Sequence, residues 1–121
     1  MRNAFAWARA VNPDQPLSMG LWNWDFEALN TYQALHSNVV TYHNYDDAAA
    51  HQRMIELLKT HGRPLICTEY MARPRNSRFI SIFPLLKKQN VGAINWGLLD
   101  GKTNTKYQWD VPVADGGEPG E

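Results

Sequence analysis

Four residues at the ends of short apolar runs could act together on a ligand. Glu69 closes PLICTEY before its final tyrosine, His43 and Tyr45 close NVVTYHNY, and Trp96 sits near the end of VGAINWG. A carboxylate can attack an electrophilic carbon or move a proton. An imidazole and a phenol can hold it ionised and aim it through hydrogen bonds, and an indole offers a flat apolar face for stacking. Cys67, two residues before Glu69, reads as a buried packing residue rather than a reactive thiol. His36, His51 and His61 lack ligand spacing, so neither a metal site nor any cofactor is expected.

The elements that would position these residues follow from hydrophobic patterning. Four apolar runs recur: PLSMGLW (16–22), NVVTYHNY (38–45), PLICTEY (64–70) and VGAINWG (91–97). Runs of this length with β-branched residues predict buried strands. The intervening segments predict helices. Asp46 or Asp47 suits the cap of DAAAHQRMIELLKTHG, with Met54, Ile55 and Leu58 as its apolar stripe and Gly62 at its exit. Asn76 or Ser77 suits the cap of SRFISIFPLLKKQN, with Phe79, Phe83 and Leu86 on one face and a break or kink at Pro84. A weaker helix is expected over 24–36, and another over 3–11, ended by Asn12-Pro13.

This α-β-α-β-α-β-α-β order, with connections of helical length, calls for parallel strands joined by right-handed crossovers. A doubly wound sheet and part of a (β/α)8 TIM barrel both fit the order. No glycine-rich phosphate loop follows any strand, which disfavours nucleotide-binding forms of the open sheet. In parallel α/β proteins the carboxyl ends of strands form the ligand face. By alternation, Val39, Thr41, His43 and Tyr45 share one face, as do Leu65, Cys67 and Glu69, and Gly92, Ile94 and Trp96. His43, Tyr45, Glu69 and Trp96 are therefore expected to face one pocket. The tail from Leu98 to Glu121, rich in turn formers, is expected to cross the surface as a loop and fray.

Composition narrows the classes. At 121 residues the chain suits one domain. Hydrophobic residues at 44% and charged residues at 20% indicate a folded chain rather than a disordered one. Twelve basic and twelve acidic residues cancel, and the arginines form no basic run, so nucleic acid is not an expected partner. No apolar run approaches the ~18 residues of a membrane span, so no membrane partner is expected either. The segment MRNAFAWARAV lacks the apolar core of a secretory signal, and the sequence assigns no location. A single cysteine excludes an internal disulfide.

TYHNY, ICTEYMAR and GAINWGLLDGKTNT resemble the sixth, seventh and eighth strands of clan A glycoside hydrolases, closest to cellulase-like enzymes of the family 5 type. The likeness runs from about Arg2 to Asp110 and is most specific at ICTEYMAR. It implies a β-glycosidase role in carbohydrate metabolism, with Glu69 as nucleophile, His43 and Tyr45 beside it, and Trp96 as the floor of the subsite where the bond is cut. Trp22 and Trp109 would add sugar contacts. The clan's acid/base glutamate follows an asparagine at the end of the fourth strand, and no Asn-Glu dipeptide occurs here. The resemblance thus implies about four βα units, strands five to eight of a barrel that takes about 250 residues when whole.

Retaining hydrolysis needs two carboxyl groups about 5–5.5 Å apart. Asp46, Asp47 and Asp100 also stand at strand ends, yet nothing marks any of them as the acid. The expected partner is an oligo- or polysaccharide with β-linkages. Self-association or a complementary half-barrel would cover the open sheet edges. The chain alone is expected to be inactive as a hydrolase. Two other readings stand beside this one: a non-catalytic carbohydrate-binding or assembly module stacking sugars on Trp96, Tyr45 and Trp22, and a truncated gene product without function.

Overall fold

Helices and parallel strands alternate through most of the computed structural model, which describes residues 2–21 and 23–95. The elements are α1 (Arg2–Ala10), α2 (Glu27–His36), β1 (Val40–His43), α3 (Ala48–Lys59), β2 (Leu65–Glu69), a 3-10 turn (Arg73–Arg75), α4 (Phe79–Lys88) and β3 (Gly92–Ala93). The fold is thus mixed α/β, with a small parallel sheet in the order β1-β2-β3. Chain neighbours are sheet neighbours, and each strand-to-strand connection carries a helix, as parallel pairing requires. The expected tail from Leu98 to Glu121 lies outside the described residues.

One core holds the layers together. Val40 and Tyr42 of β1 and Leu65 and Cys67 of β2 form a single buried cluster with Ala34 of α2, Ile55 and Leu58 of α3, and Ile82 and Leu86 of α4. Alternate strand residues point to opposite faces, so α2, α3 and α4 all cover the same side of the sheet. The other side carries Thr41, His43, Ile66 and Thr68, which are only half-buried. Gly92 faces Ile66 across the β2–β3 pairing. A Cβ at Gly92 would lie 3.1 Å from the Ile66 side chain, so glycine lets the strands approach there.

Local chemistry explains the helix ends. Asp47 caps α3, its Oδ1 accepting from the Ala50 amide at 2.9 Å. Gly62 takes φ +64 just beyond the helix, a left-handed turn that glycine adopts without strain. The α1 helix buries only Phe5, which packs edge-on against Tyr32 and against His36 of α2. Arg9 donates to the His36 carbonyl at 2.6 Å, satisfying a carbonyl at the end of α2.

Four expectations need correction. Among its described residues the run at 16–22 makes one bridge, Leu21 with Tyr42, because Leu17 and Met19 donate to the side chains of Asn38 and Ser37 rather than to a ladder. The α4 helix starts after Arg78, not at Asn76 or Ser77, since Asn76 is left-handed and Ser77 closes a separate hairpin. The helix also runs through Pro84 unbroken. The carbonyl deprived of its partner belongs to Ile80, which is 82% exposed, where water can serve it. Finally, α4 buries Ile82 and Leu86, leaving Phe79 and Phe83 outside, stacked on each other with centroids 4.8 Å apart.

His51 is the costly member of the core. Its ring is fully buried on α3, its Nε2 is 3.0 Å from the Tyr42 hydroxyl, and its Nδ1 has no hydrogen-bond partner among the described residues. Burial lowers its pKa from 6.5 to about 4, although the nearby Asp46 charge works in the opposite direction. The unfolded chain therefore binds a proton here that the folded chain refuses. The neutral imidazole contributes its full share of stability above pH 6.5, and that share is lost as pH falls toward 4. The loss should be on the order of 3 kcal/mol. Urea midpoints measured across this window should fall in the wild type and fall distinctly less in His51→Gln; equal slopes would contradict a neutral buried His51.

Candidate functional site

The geometry around Glu69 begins with an irregularity in strand pairing. Along β1 and β2, Val40 faces Leu65, Thr41 faces Ile66 and Tyr42 faces Cys67, but His43 then faces Glu69. Thr68 is skipped. Strict alternation would send the Glu69 side chain to the helix side with Leu65 and Cys67, whereas a bulge of one residue re-aims it. Thr68 Oγ1 donates to the Tyr42 carbonyl at 3.3 Å and helps to fix the offset. The sequence expectation that Leu65, Cys67 and Glu69 share a face therefore holds for the first two only, since Cys67 is buried under the helices.

With Glu69 turned to the open side, the partners expected from sequence meet it. His43 Nδ1 lies 3.2 Å from Glu69 Oε2, and the Tyr45 hydroxyl donates to the same oxygen. The side chains of His43 and Glu69 are about a quarter exposed, 25% and 26%. Among the described residues no hydrogen bond reaches Glu69 Oε1. One carboxylate oxygen thus accepts from the Tyr45 hydroxyl and lies beside the His43 imidazole, while the other has no hydrogen bond among the described residues, an arrangement a nucleophile or general base can use. Burial, and next the hydrogen bond to Glu69 and its charge, push the Tyr45 phenol well above its ordinary range, so it stays a donor.

Two positions missed by the sequence reading hold this cluster in place. Asn44 is buried; its amide donates to the Glu69 carbonyl at 3.1 Å, and its Oδ1 accepts from the Asp46 amide at 3.0 Å. That side-chain turn folds the chain back after β1 so that Tyr45 reaches across to β2. The Asn-x-Asp spacing in NYD was the available signal. Ser77, also buried, accepts from the Met71 amide at 3.3 Å and pairs with Ala72, closing the loop that follows Glu69.

Of the remaining candidates, Trp22, Trp96, Trp109 and Asp100 lie outside the described residues. Asp47 is committed to its helix cap, and Asp46 Oδ1 lies 3.6 Å from Arg75 Nη1. Among the described residues no group of histidine, cysteine and acidic side chains could hold a metal ion. No helix among them is long and apolar enough to cross a membrane. No protein-family model, curated protein or solved structure matches this chain.

Cys67 sits beside the site but on the wrong side of the sheet for its chemistry. The thiol is fully buried and donates to the Glu69 carbonyl at 3.3 Å. Burial pushes its pKa from 9.0 up to about 12, more than the surrounding hydrogen bonds lower it. Reaction with Ellman's reagent at pH 8 should therefore run at least about 100-fold slower in the folded protein than in urea. Comparable rates would show that the thiol is open and compete with Glu69 for the role of nucleophile.

Proposed function

We propose that this chain carries the nucleophile side of a retaining β-glycosidase site, with Glu69 as the attacking carboxylate and the surrounding elements as the C-terminal half of a (β/α)8 barrel. The observation that supports it most is the convergence of Tyr45 and His43 on a single oxygen of Glu69, the second oxygen having no hydrogen bond among the described residues. The architecture agrees. Leu21, β1, β2 and β3 lie side by side in chain order, and among the described residues α2, α3 and α4 pack on one face. A doubly wound sheet would place helices on both faces and reverse its strand order.

On this reading Glu69 Oε1 attacks the anomeric carbon while the bond from that carbon to the leaving oxygen breaks, its electron pair going to the oxygen. Tyr45 and His43 stabilise and orient the carboxylate. A sugar alkoxide is a poor leaving group and needs a proton from a second carboxyl about 5–5.5 Å away. Neither described candidate is disposed to give it, since Asp47 caps α3 and Asp46 faces Arg75. The substrate class is a β-linked oligo- or polysaccharide, and the partner that supplies the acid is a complementary half-barrel; self-association would cover the open sheet edges but bring no second type of carboxyl. Trp96, Trp22 and Trp109 would stack on the sugar. The competing reading, a sugar-binding module without chemistry, requires no reactive Glu69.

A leaving group that needs no proton separates the two. Incubation with 2,4-dinitrophenyl 2-deoxy-2-fluoro-β-glycosides of several sugars should release about one equivalent of dinitrophenolate per chain, because hydrolysis of the covalent intermediate lacks its base. Intact mass should rise by one fluoroglycosyl group, mapped to Glu69 and lost in Glu69→Gln, while natural oligosaccharides turn over negligibly. Failure of every sugar to label Glu69 would overturn the catalytic reading.

A further inference from the structure

The loop after Glu69 is built more rigidly than a connection requires. Met71 takes φ +82, a conformation that a long side chain rarely adopts, one residue beyond the buried Tyr70. It is held there by a small hairpin. Ala72 donates to the Ser77 carbonyl at 3.0 Å, and Ser77 returns a bond to Ala72 at 3.2 Å. Between them Arg73–Arg75 forms a 3-10 turn containing Pro74, closed by Asn76 at φ +58. The backbone of Arg75 is thereby fixed in advance, which lowers the entropic cost of using its side chain in recognition.

That side chain reaches back toward the site. Arg75 Nη1 lies 3.6 Å from Asp46 Oδ1, and Asp46 directly follows Tyr45, the residue that holds Glu69. Both partners are about half exposed, 57% and 49%. An exposed contact of one nitrogen with one oxygen contributes at most about 1 kcal/mol, so it is a poor reason for so rigid a loop. Among the described residues it engages one nitrogen of the guanidinium, and a planar fork of donors best fits a carboxylate bound through both oxygens. Along the sequence the loop itself is basic, with Arg73, Arg75 and Arg78 and no acidic residue from Tyr70 to Arg78, and Asp46 is the acidic side chain beside Arg75.

We propose that Arg75 recognises a carboxylate on the substrate, so that the site accepts uronic-acid-bearing β-glycosides, with the substrate carboxylate displacing Asp46 from the guanidinium. This deepens, and rests on, the reading of Glu69 as the residue that takes up the glycosyl group. Asp46 is then a place-holder that screens the arginine until ligand arrives. Arg75 contacts substrate but takes no part in bond breaking.

Glu69 labelling supplies the test, with matched 2,4-dinitrophenyl 2-deoxy-2-fluoro-β-glucuronide and β-glucoside as probes. In the wild type the ratio of glucuronide to glucoside labelling rates should exceed one and fall with added salt. Arg75→Gln should lower that ratio about tenfold, a typical loss for a charge-assisted bidentate contact. Asp46→Asn should raise it severalfold, and Arg53→Gln, an exposed change on α3, should leave it alone. Labelling by glucoside with a ratio indifferent to Arg75 would overturn the carboxylate proposal while keeping Glu69 as nucleophile. A ratio lowered by Asp46→Asn would also overturn it, by showing that the ion pair itself is what matters. No labelling by either sugar would remove both readings.

Discussion

The site depends on how β1 and β2 pair over their last residues. Up to Tyr42 and Cys67 the two strands run in regular parallel register, and every second side chain enters the helix-covered core. One skipped residue, Thr68, then changes the face to which Glu69 belongs. Without that offset the carboxylate would point toward Cys67 and the helices, among apolar side chains where a charge is costly. With it, Glu69 stands opposite His43 within reach of Tyr45. The alternation that builds the core and the interruption that builds the site lie within five residues of one strand.

The two faces use similar side chains to opposite ends. On the covered face Tyr42 meets His51 out of water, with an imidazole nitrogen left without a partner, and the pair serves packing at the expense of acid stability. On the open face Tyr45 and His43 meet a carboxylate that keeps contact with solvent. TYHNY contains both tyrosines and His43, and strand geometry sorts them: consecutive residues Tyr42 and His43 point to opposite faces, and the Asn44 turn returns Tyr45 to the open one. Burial and partner, not residue type, divide structural from functional roles here.

Much of the arrangement was legible in the sequence because it rests on local rules. The apolar runs located β1 and β2, Asp47 and Gly62 marked the ends of α3, and the strand termini displayed Glu69, His43 and Tyr45. What escaped depends on tertiary pairing. A bulge has no signature in LICTE, because the skipped residue is chosen by the neighbouring strand. The stripe on α4 was ambiguous, since Leu86 completes a helical face with either Ile82 or Phe79 and Phe83, and only packing against the sheet selects the aliphatic one. The strand expected at 16–22 lost its ladder to the side chains of Ser37 and Asn38, a competition that propensity does not reveal. Nor does the sequence around Arg73, Arg75 and Arg78 announce the hairpin that fixes Arg75, because its closing pair, Ala72 with Ser77, is set by the fold.

The central claim is that Glu69 projects to the open face and is held there by His43 and Tyr45. Nuclear Overhauser contacts between the Glu69 side-chain protons and the rings of these residues test it most directly. Cross-peaks from the Glu69 γ-protons to the His43 and Tyr45 ring protons, with none to Leu58 or Ile82 beneath the sheet, are the expected result. Contacts from Glu69 to those helix residues instead would mean that β2 keeps its alternation to the end, and the account of the site would be wrong.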